Sequence, residues 1–180
     1  MIQEHFQKAL KFAGEKHARQ QVPGTNANYL LHISNVAMEV LIAYYAAPVF
    51  DINSAIQIAI LHDTLEDTDT SFEELKMAFG ESIALAVQAL TKDDRLPDKQ
   101  HKMLDSLQRI QQSGKETGIV KLADRITNLQ PPPPHWDKQK IANYLEEAKT
   151  IAAALKDKNE YLVARLNGKI LEYERNLDGI

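Results

Sequence analysis

Residues 60–75 read ILHDTLEDTDTSFEEL: an apolar run that ends in a His–Asp pair, with a Glu–Asp pair close behind. On a continuous helix, residues four apart sit one above the other. His62 then stacks on Glu66 and Asp63 on Asp67. At about 100° per residue the four groups fall within roughly 140° of arc. A core helix gains nothing from four ionisable groups on one arc, whereas a metal site does. Two further candidates stand elsewhere: His32 in LLHISNVA, and Asp124 in KLADRITNL with Asn128 one turn on. Imidazole and carboxylate together suit Mn²⁺, Fe²⁺, Zn²⁺ or Ni²⁺, and two His with two Asp would leave octahedral positions open for water and substrate.

Each piece also has a plainer reading. A His–Asp dipeptide arises by chance in many chains, and EDTD could be a helix end passing into solvent. Carboxylates at a helix C-terminus are opposed by the macrodipole, however, so a metal or basic residues must compensate them. Asp124 could pair with Lys121 or Arg125. His17 lies on an apolar face and reads as a bonded core histidine, and Trp136 and Tyr144 read as core residues.

The elements that must position these groups are helical almost throughout. Phe6, Ala9, Leu10 and Ala13 predict a first helix from about residue 2 to about 20. A loop, VPGTNAN, precedes a second helix with Leu31, Ile33, Val36, Val40 and Leu41 on its apolar arc. A third starts near Asn53 or Ser54 and carries the motif. Ser71 with Glu74 has capping-box spacing, Gly80 stops that helix, and another runs to about Thr91. A helix over about 98–112 follows the charged loop KDDRLPDKQ, and IVKLADRITNL is amphipathic. The four prolines 131–134 bar helix there and read as a rigid rim; two helices, near 137–156 and 158–177, close the chain. The expectation is an all-α fold of about eight to ten helices in one domain, 1–180.

Composition narrows the class. The chain has 180 residues, 44% of them apolar, a formal net charge of −4 and no cysteine. Disulfides and thiolate ligands are thereby excluded, and a nucleic-acid binder is not suggested. The N-terminus is mixed in charge, unlike a signal peptide, and no apolar run approaches the roughly 20 residues of a membrane span. A soluble cytoplasmic protein is expected, with a small-molecule partner rather than nucleic acid or membrane.

Taken in order, LLHISNVA, AILHDTLEDTDTSFEEL, LTKDD and IVKLADRITNL resemble the HD-domain hydrolases of the RelA/SpoT family, and among them the stand-alone small alarmone hydrolases of the metazoan SpoT-homologue type. The resemblance runs from about His17 to Tyr144, and its motifs are specific as a set. It implies an all-helical fold and one Mn²⁺ held by His32, His62, Asp63 and Asp124. It makes Glu66 and Asp67 the catalytic acidic pair, sets Asn128 against the nucleotide ribose, and matches Tyr144 to a tyrosine near the nucleotide. The reaction it implies is hydrolysis of the 3′-pyrophosphate of (p)ppGpp to GDP or GTP plus pyrophosphate. Two positions depart from the pattern. Val22 and Pro23 stand where the family's HxxQxRK has arginine and lysine, and Ile33 follows His32 where the family has proline.

Glu66 is placed to orient or deprotonate the attacking water, and Asp67 to assist it. So anionic a substrate needs cations on the rim, for which Lys92, Arg95, Lys99, Lys102 and Lys121 are available. Arg19 could take the role of the missing arginine if the first helix continues through residue 22, since positions 19 and 22 would then share a face. Two alternatives stand beside the alarmone hydrolase. One is the same chemistry on another 3′-phosphorylated or pyrophosphorylated nucleotide, with NADPH a candidate; the other is a nucleotide sensor without turnover. Oligomeric state is left open.

Overall fold

The computed structural model describes residues 1–178. Among them are ten helices: α1 (Ile2–Lys16), α2 (Leu30–Ala46), α3 (Ile52–Leu61), α4 (Thr64–Asp67), α5 (Phe72–Phe79), α6 (Glu81–Leu90), α7 (Lys99–Gln112), α8 (Lys115–Asn128), α9 (Lys138–Ala154) and α10 (Glu160–Asp178). The described residues contain no strand, only an isolated antiparallel bridge between Gln21 and Asn28, and no helix among them is long and apolar enough to cross a membrane. The all-α expectation holds.

Helix α8 is the centre. It packs against α2, α3, α6, α7, α9 and α10, and its Ile119, Val120, Leu122, Ala123 and Ile126 are buried. Ile33, Val36 and Val40 of α2 and Ile56, Ile60 and Leu61 of α3 join them in one apolar cluster. Side-chain caps begin several helices: Asp51 accepts from the Asn53 amide, Asp98 from His101 and Asp137 from Lys140. Ser71 accepts from the Glu74 amide as the spacing predicts. The Glu74 carboxylate, however, reaches Lys16 at 3.1 Å.

Two helix boundaries differ from the periodicity. Helix α1 stops at Lys16 rather than near residue 20, because the chain turns at His17, where the Gln20 amide donates to its carbonyl at 3.0 Å. The Asn28 side chain supplies further donors to the His17 and Ala18 carbonyls at 3.4 and 3.2 Å, which satisfies acceptors that a helix end leaves open. The second difference is in the motif itself. Helix α3 ends at Leu61, and His62 and Asp63 form a break before the short α4. Side chains take the carbonyls of the last turn: His62 Nδ1 donates to Ala59 O at 2.7 Å and Thr64 Oγ1 to Leu61 O at 2.7 Å. Such local bonds compete with the helical ladder. Asp63 lies at φ −101°, ψ 0°, in the sparsely populated bridge region.

Because α8 carries its apolar face into the middle of the molecule, truncation there is expected to destabilise the whole. Leu122, 0% exposed, when replaced in Leu122→Ala, should lower unfolding free energy by about 2–5 kcal/mol. A urea titration followed by circular dichroism measures this, and a loss below about 1 kcal/mol would contradict the central packing of α8.

Candidate metal centre

Three elements bring the ionisable groups together. His32 comes from the first turn of α2, His62 and Asp63 from the break after α3, and Asp124 from α8. The three elements are mutually packed, so their side chains meet at a common point. His32 Nε2 and His62 Nε2 face one another at 3.2 Å. Asp63 Oδ2 lies 3.0 Å from His62 Nε2 and 3.6 Å from His32 Nε2. Asp124 Oδ1 lies 3.5 Å from His32 Nε2 and 3.8 Å from His62 Nε2. His32, His62 and Asp124 are each no more than 8% exposed.

These separations fit a divalent cation. Ligand atoms about 2.0–2.2 Å from an ion lie about 3.0 Å apart in octahedral and about 3.4 Å apart in tetrahedral geometry. One donor atom each from His32, His62 and Asp124 falls within 4.8 Å of the other two. The surroundings fit as well. Because His62 Nδ1 is held by the Ala59 carbonyl, its Nε2 carries the free lone pair, the arrangement that orients metal-bound histidines. Asp124 accepts from Asn128 Nδ2 on Oδ1 and from Lys121 Nζ on Oδ2 at 3.1 Å. Asp63 Oδ2 accepts the Tyr29 hydroxyl.

Charge is strongly coupled here. Burial alone would depress the His62 pKa, yet the Asp63 and Asp124 carboxylates outweigh it and raise it from 6.5 to about 9. Burial would likewise raise Asp63, but the His62 charge and hydrogen bond bring it down to about 2. Asp124 is held well below the usual carboxylate range, because Lys121 and the two histidines outweigh its burial. Tyr29 is pushed upward by burial and by Asp63, so its hydroxyl stays a donor.

The acidic pair sits beside this cluster, each member on its own partner. Glu66 Oε1 accepts from Lys92 Nζ at 2.6 Å and Oε2 from the Lys92 amide at 3.1 Å. Asp67 Oδ2 accepts from Gln20 Nε2 at 2.8 Å, and the Gln20 amide oxygen accepts from the buried His17 Nδ1 at 2.6 Å. Burial raises the Asp67 pKa, and Gln20 only partly offsets it. The stacking of His62 on Glu66 along one helix is therefore replaced by a break that sends Glu66 toward the α6–α7 loop.

Asn128 and Tyr144 lie together: the Tyr144 hydroxyl donates to the Asn128 carbonyl at 3.4 Å, and its ring covers the Arg125 guanidinium at 4.6 Å. Arg19 is exposed in the turn after α1. With α1 ending at Lys16, positions 19 and 22 share no helical face, and that route for Arg19 to replace the missing arginine is gone. Val22–Thr25 instead form a turn, with Thr25 N donating to Val22 O at 3.1 Å and Gly24 at φ 77°. Pro then Gly at these positions is the type II signature. Ile33, in the place of the family's proline, donates its amide to Tyr29 O at 3.2 Å, a bond proline cannot make.

Of the rim cations, Lys92 holds Glu66, Arg95 holds Asp93, Lys102 holds Asp94 and Lys121 holds Asp124. Sequence reasoning missed Tyr29 and gave Gln20 no role. Tyr29 stands three residues before His32, and its ring lies 5.1 Å from both the His17 and His32 rings. An i, i+3 aromatic–histidine pair was the available signal.

Residues 9–160 match the profile of the HD domain family. The relatives include guanosine-3′,5′-bis(diphosphate) 3′-pyrophosphohydrolase MESH1 of Danio rerio, 33% identical over 168 residues, 91% of this chain and 91% of that protein. The protein of the same name from Homo sapiens is 32% identical over 159 residues, 86% of each chain. A solved structure described as a metazoan ortholog of SpoT that hydrolyzes ppGpp is similar with a TM-score of 0.81 at 27% identity, covering 93% of this chain and 94% of that one.

The raised pKa of His62 has a measurable consequence. In the metal-free protein its folded value, about 9, exceeds its ordinary 6.5. The stability it contributes is thus complete below pH 6.5 and is lost as pH rises through about 9. A cation entering the cluster must displace that proton. Divalent-metal affinity should therefore rise with pH across this window, by about tenfold per unit if one proton leaves. Calorimetric titrations at several pH values, in buffers of differing ionisation enthalpy, read both quantities. A flat profile with no proton release would remove His62 from the ligand set.

Proposed function

The chain belongs to the HD domain family, and on that footing we propose that it is a metal-dependent hydrolase that removes the 3′-pyrophosphate of (p)ppGpp as pyrophosphate, leaving GDP or GTP. The observation that carries this reading is the convergence of buried His32, His62 and Asp124 with half-buried Asp63, two imidazole nitrogens lying 3.2 Å apart, in a chain whose relatives of nearly equal length bear that activity in their names. These four residues would hold one ion. Their mixed nitrogen and oxygen donors suit Mn²⁺, the metal we propose. When bound, such a cation supplies Lewis acidity, making hydroxide available near neutral pH and drawing charge from a phosphoryl oxygen.

The remaining work falls to the protein. Lys121 and Asn128 orient Asp124, Tyr29 orients Asp63 and the Ala59 carbonyl fixes His62. Glu66 takes the proton of the attacking water as its oxygen bonds to the phosphorus next to the ribose. In this reading Asp67, whose pKa burial raises from its ordinary value, carries a proton to the ribose 3′-oxygen as the bond between that oxygen and the phosphorus breaks. Positioning both groups before the reaction removes the entropy of assembling them. Asn128 and Tyr144, joined by the hydroxyl–carbonyl bond, form the nucleoside side of the site in this reading. Arg19, exposed in the turn after α1 and without an acidic partner among the described residues, is a proposed substrate contact on that account.

One observation favours a second reading. Val22 and Pro23, in the turn that replaces arginine and lysine, bring neither charge nor a planar group to a guanine base. Another 3′-phosphorylated or pyrophosphorylated nucleotide, NADPH among the candidates, would then be the better substrate of the same centre.

A panel of ppGpp, pppGpp, NADPH and 3′-phosphorylated nucleotides, scored for pyrophosphate and phosphate release, decides between the two. The expected result is pyrophosphate from ppGpp with the highest kcat/KM of the set. A much higher value for another nucleotide would transfer the assignment to it, and binding without turnover would make the protein a sensor. The Glu66 role has a separate check. Glu66→Gln should keep its metal by elemental analysis while kcat falls by about a hundredfold or more, the usual scale for a general base. Loss of the ion from that variant would instead make Glu66 a ligand.

A further inference from the structure

Lys92 occupies an unusual place. Its side chain and its own backbone amide bind the two oxygens of a single carboxylate, Glu66, at 2.6 and 3.1 Å. Against the effect of its burial, Glu66 first and then the charges of Asp63 and Asp124 raise the Lys92 pKa. The segment that presents it is itself pinned. Arg109 of α7 donates to the carbonyls of Gln88 and Thr91, the latter at 2.8 Å, and is held in turn by Asp105 at 2.8 Å. Ser106 Oγ donates to Ala89 O at 2.9 Å. These bonds close the acceptors that the α6 C-terminus leaves open, so residue 92 is delivered from a fixed helix end.

We propose that Lys92 is a positioning residue for hydrolysis, setting Glu66 at the attacking water through its paired side-chain and backbone bonds. The inference rests on the reading of Glu66 as the group that receives the water's proton. A two-point hold fixes both the direction and the rotation of a carboxylate. A surface ion pair made through one ammonium alone fixes neither. Lys92 acts through Glu66, so its removal matters only while Glu66 is there to be positioned.

Kinetics on the metal-loaded protein test this. Lys92→Met keeps the backbone bond and removes the ammonium. It should lower kcat by about tenfold to a hundredfold, the scale of a misplaced group, with KM and metal content little changed. Lys92→Arg, which restores the cation, should recover most of the rate. In a Glu66→Gln background Lys92→Met should change kcat by less than about twofold, because coupled residues are not additive. An unchanged kcat in Lys92→Met overturns the proposal. So does a rise in KM at constant kcat, which would make Lys92 a direct phosphate contact, or full additivity in the double variant. If Glu66→Gln alone retains the wild-type rate, the fault lies in the reading of Glu66, and the proposal falls with that reading rather than by its own test.

Discussion

Two neutral imidazole nitrogens do not approach to 3.2 Å inside a protein without something between them to share, whether a proton or a cation. Around that contact the structure collects two carboxylates, and the four groups hold each other's charge. Removing ionised groups from water is expensive unless they are paired and hydrogen-bonded. Here three of the four have such support from outside the cluster: Ala59 for His62, Tyr29 for Asp63, Lys121 and Asn128 for Asp124. The rest of the fold can be understood as the scaffold this cluster needs. Helices α2, α3 and α8 must touch for the groups to meet, and the aliphatic side chains of Ile33, Ile60 and Leu122, all fully buried, hold them in contact.

The break between α3 and α4 is the local device that makes the site possible. A straight helix would set His62 above Glu66 and give both the same direction. The carbonyls of Ala59 and Leu61 are instead taken by the side chains of His62 and Thr64, and the chain restarts at Thr64. Asp63, which joins the histidine cluster, is thereby separated from Glu66 and Asp67, which pair with Lys92 and Gln20. The loop between α1 and α2 works on the same groups from the other side. The Tyr29 amide donates to the Gln20 carbonyl at 2.9 Å, and from that closed loop Gln20 reaches Asp67 while Tyr29 reaches Asp63. One small turn thus steadies a member of each carboxylate pair.

The same loop holds the departure from the motif that the resemblance implies. Val22 and Pro23 open a tight turn closed by Gly24 at positive φ, and neither carries a cationic side chain. The metal cluster does not depend on that choice, because none of its hydrogen bonds comes from residues 22–25. The ionisable cluster and the turn at residues 22–25 are therefore structurally separable.

Much was legible in the sequence alone. Helical periodicity, the Ser71 and Gly80 signals and the proline run 131–134 were enough for an all-α protein with nearly the right boundaries, because those are local properties of the chain. Residue types and spacing alone left Glu66 and Asp67 as eligible as His32, His62, Asp63 and Asp124, and the ligand set was narrowed to those last four only by the resemblance of the ordered motifs to the HD-domain hydrolases. What the sequence could not carry was everything set by contacts distant along the chain. The early end of α1 depends on Asn28 capping carbonyls ten residues away. The end of the motif helix depends on side chains choosing backbone carbonyls over solvent, a competition that periodicity does not record. The pairing of Glu66 with Lys92 spans 26 residues and that of Gln20 with Asp67 spans 47. Such pairings exist only when the helices are packed together, so the groups that steady Glu66 and Asp67 were decided by tertiary packing rather than by any local pattern.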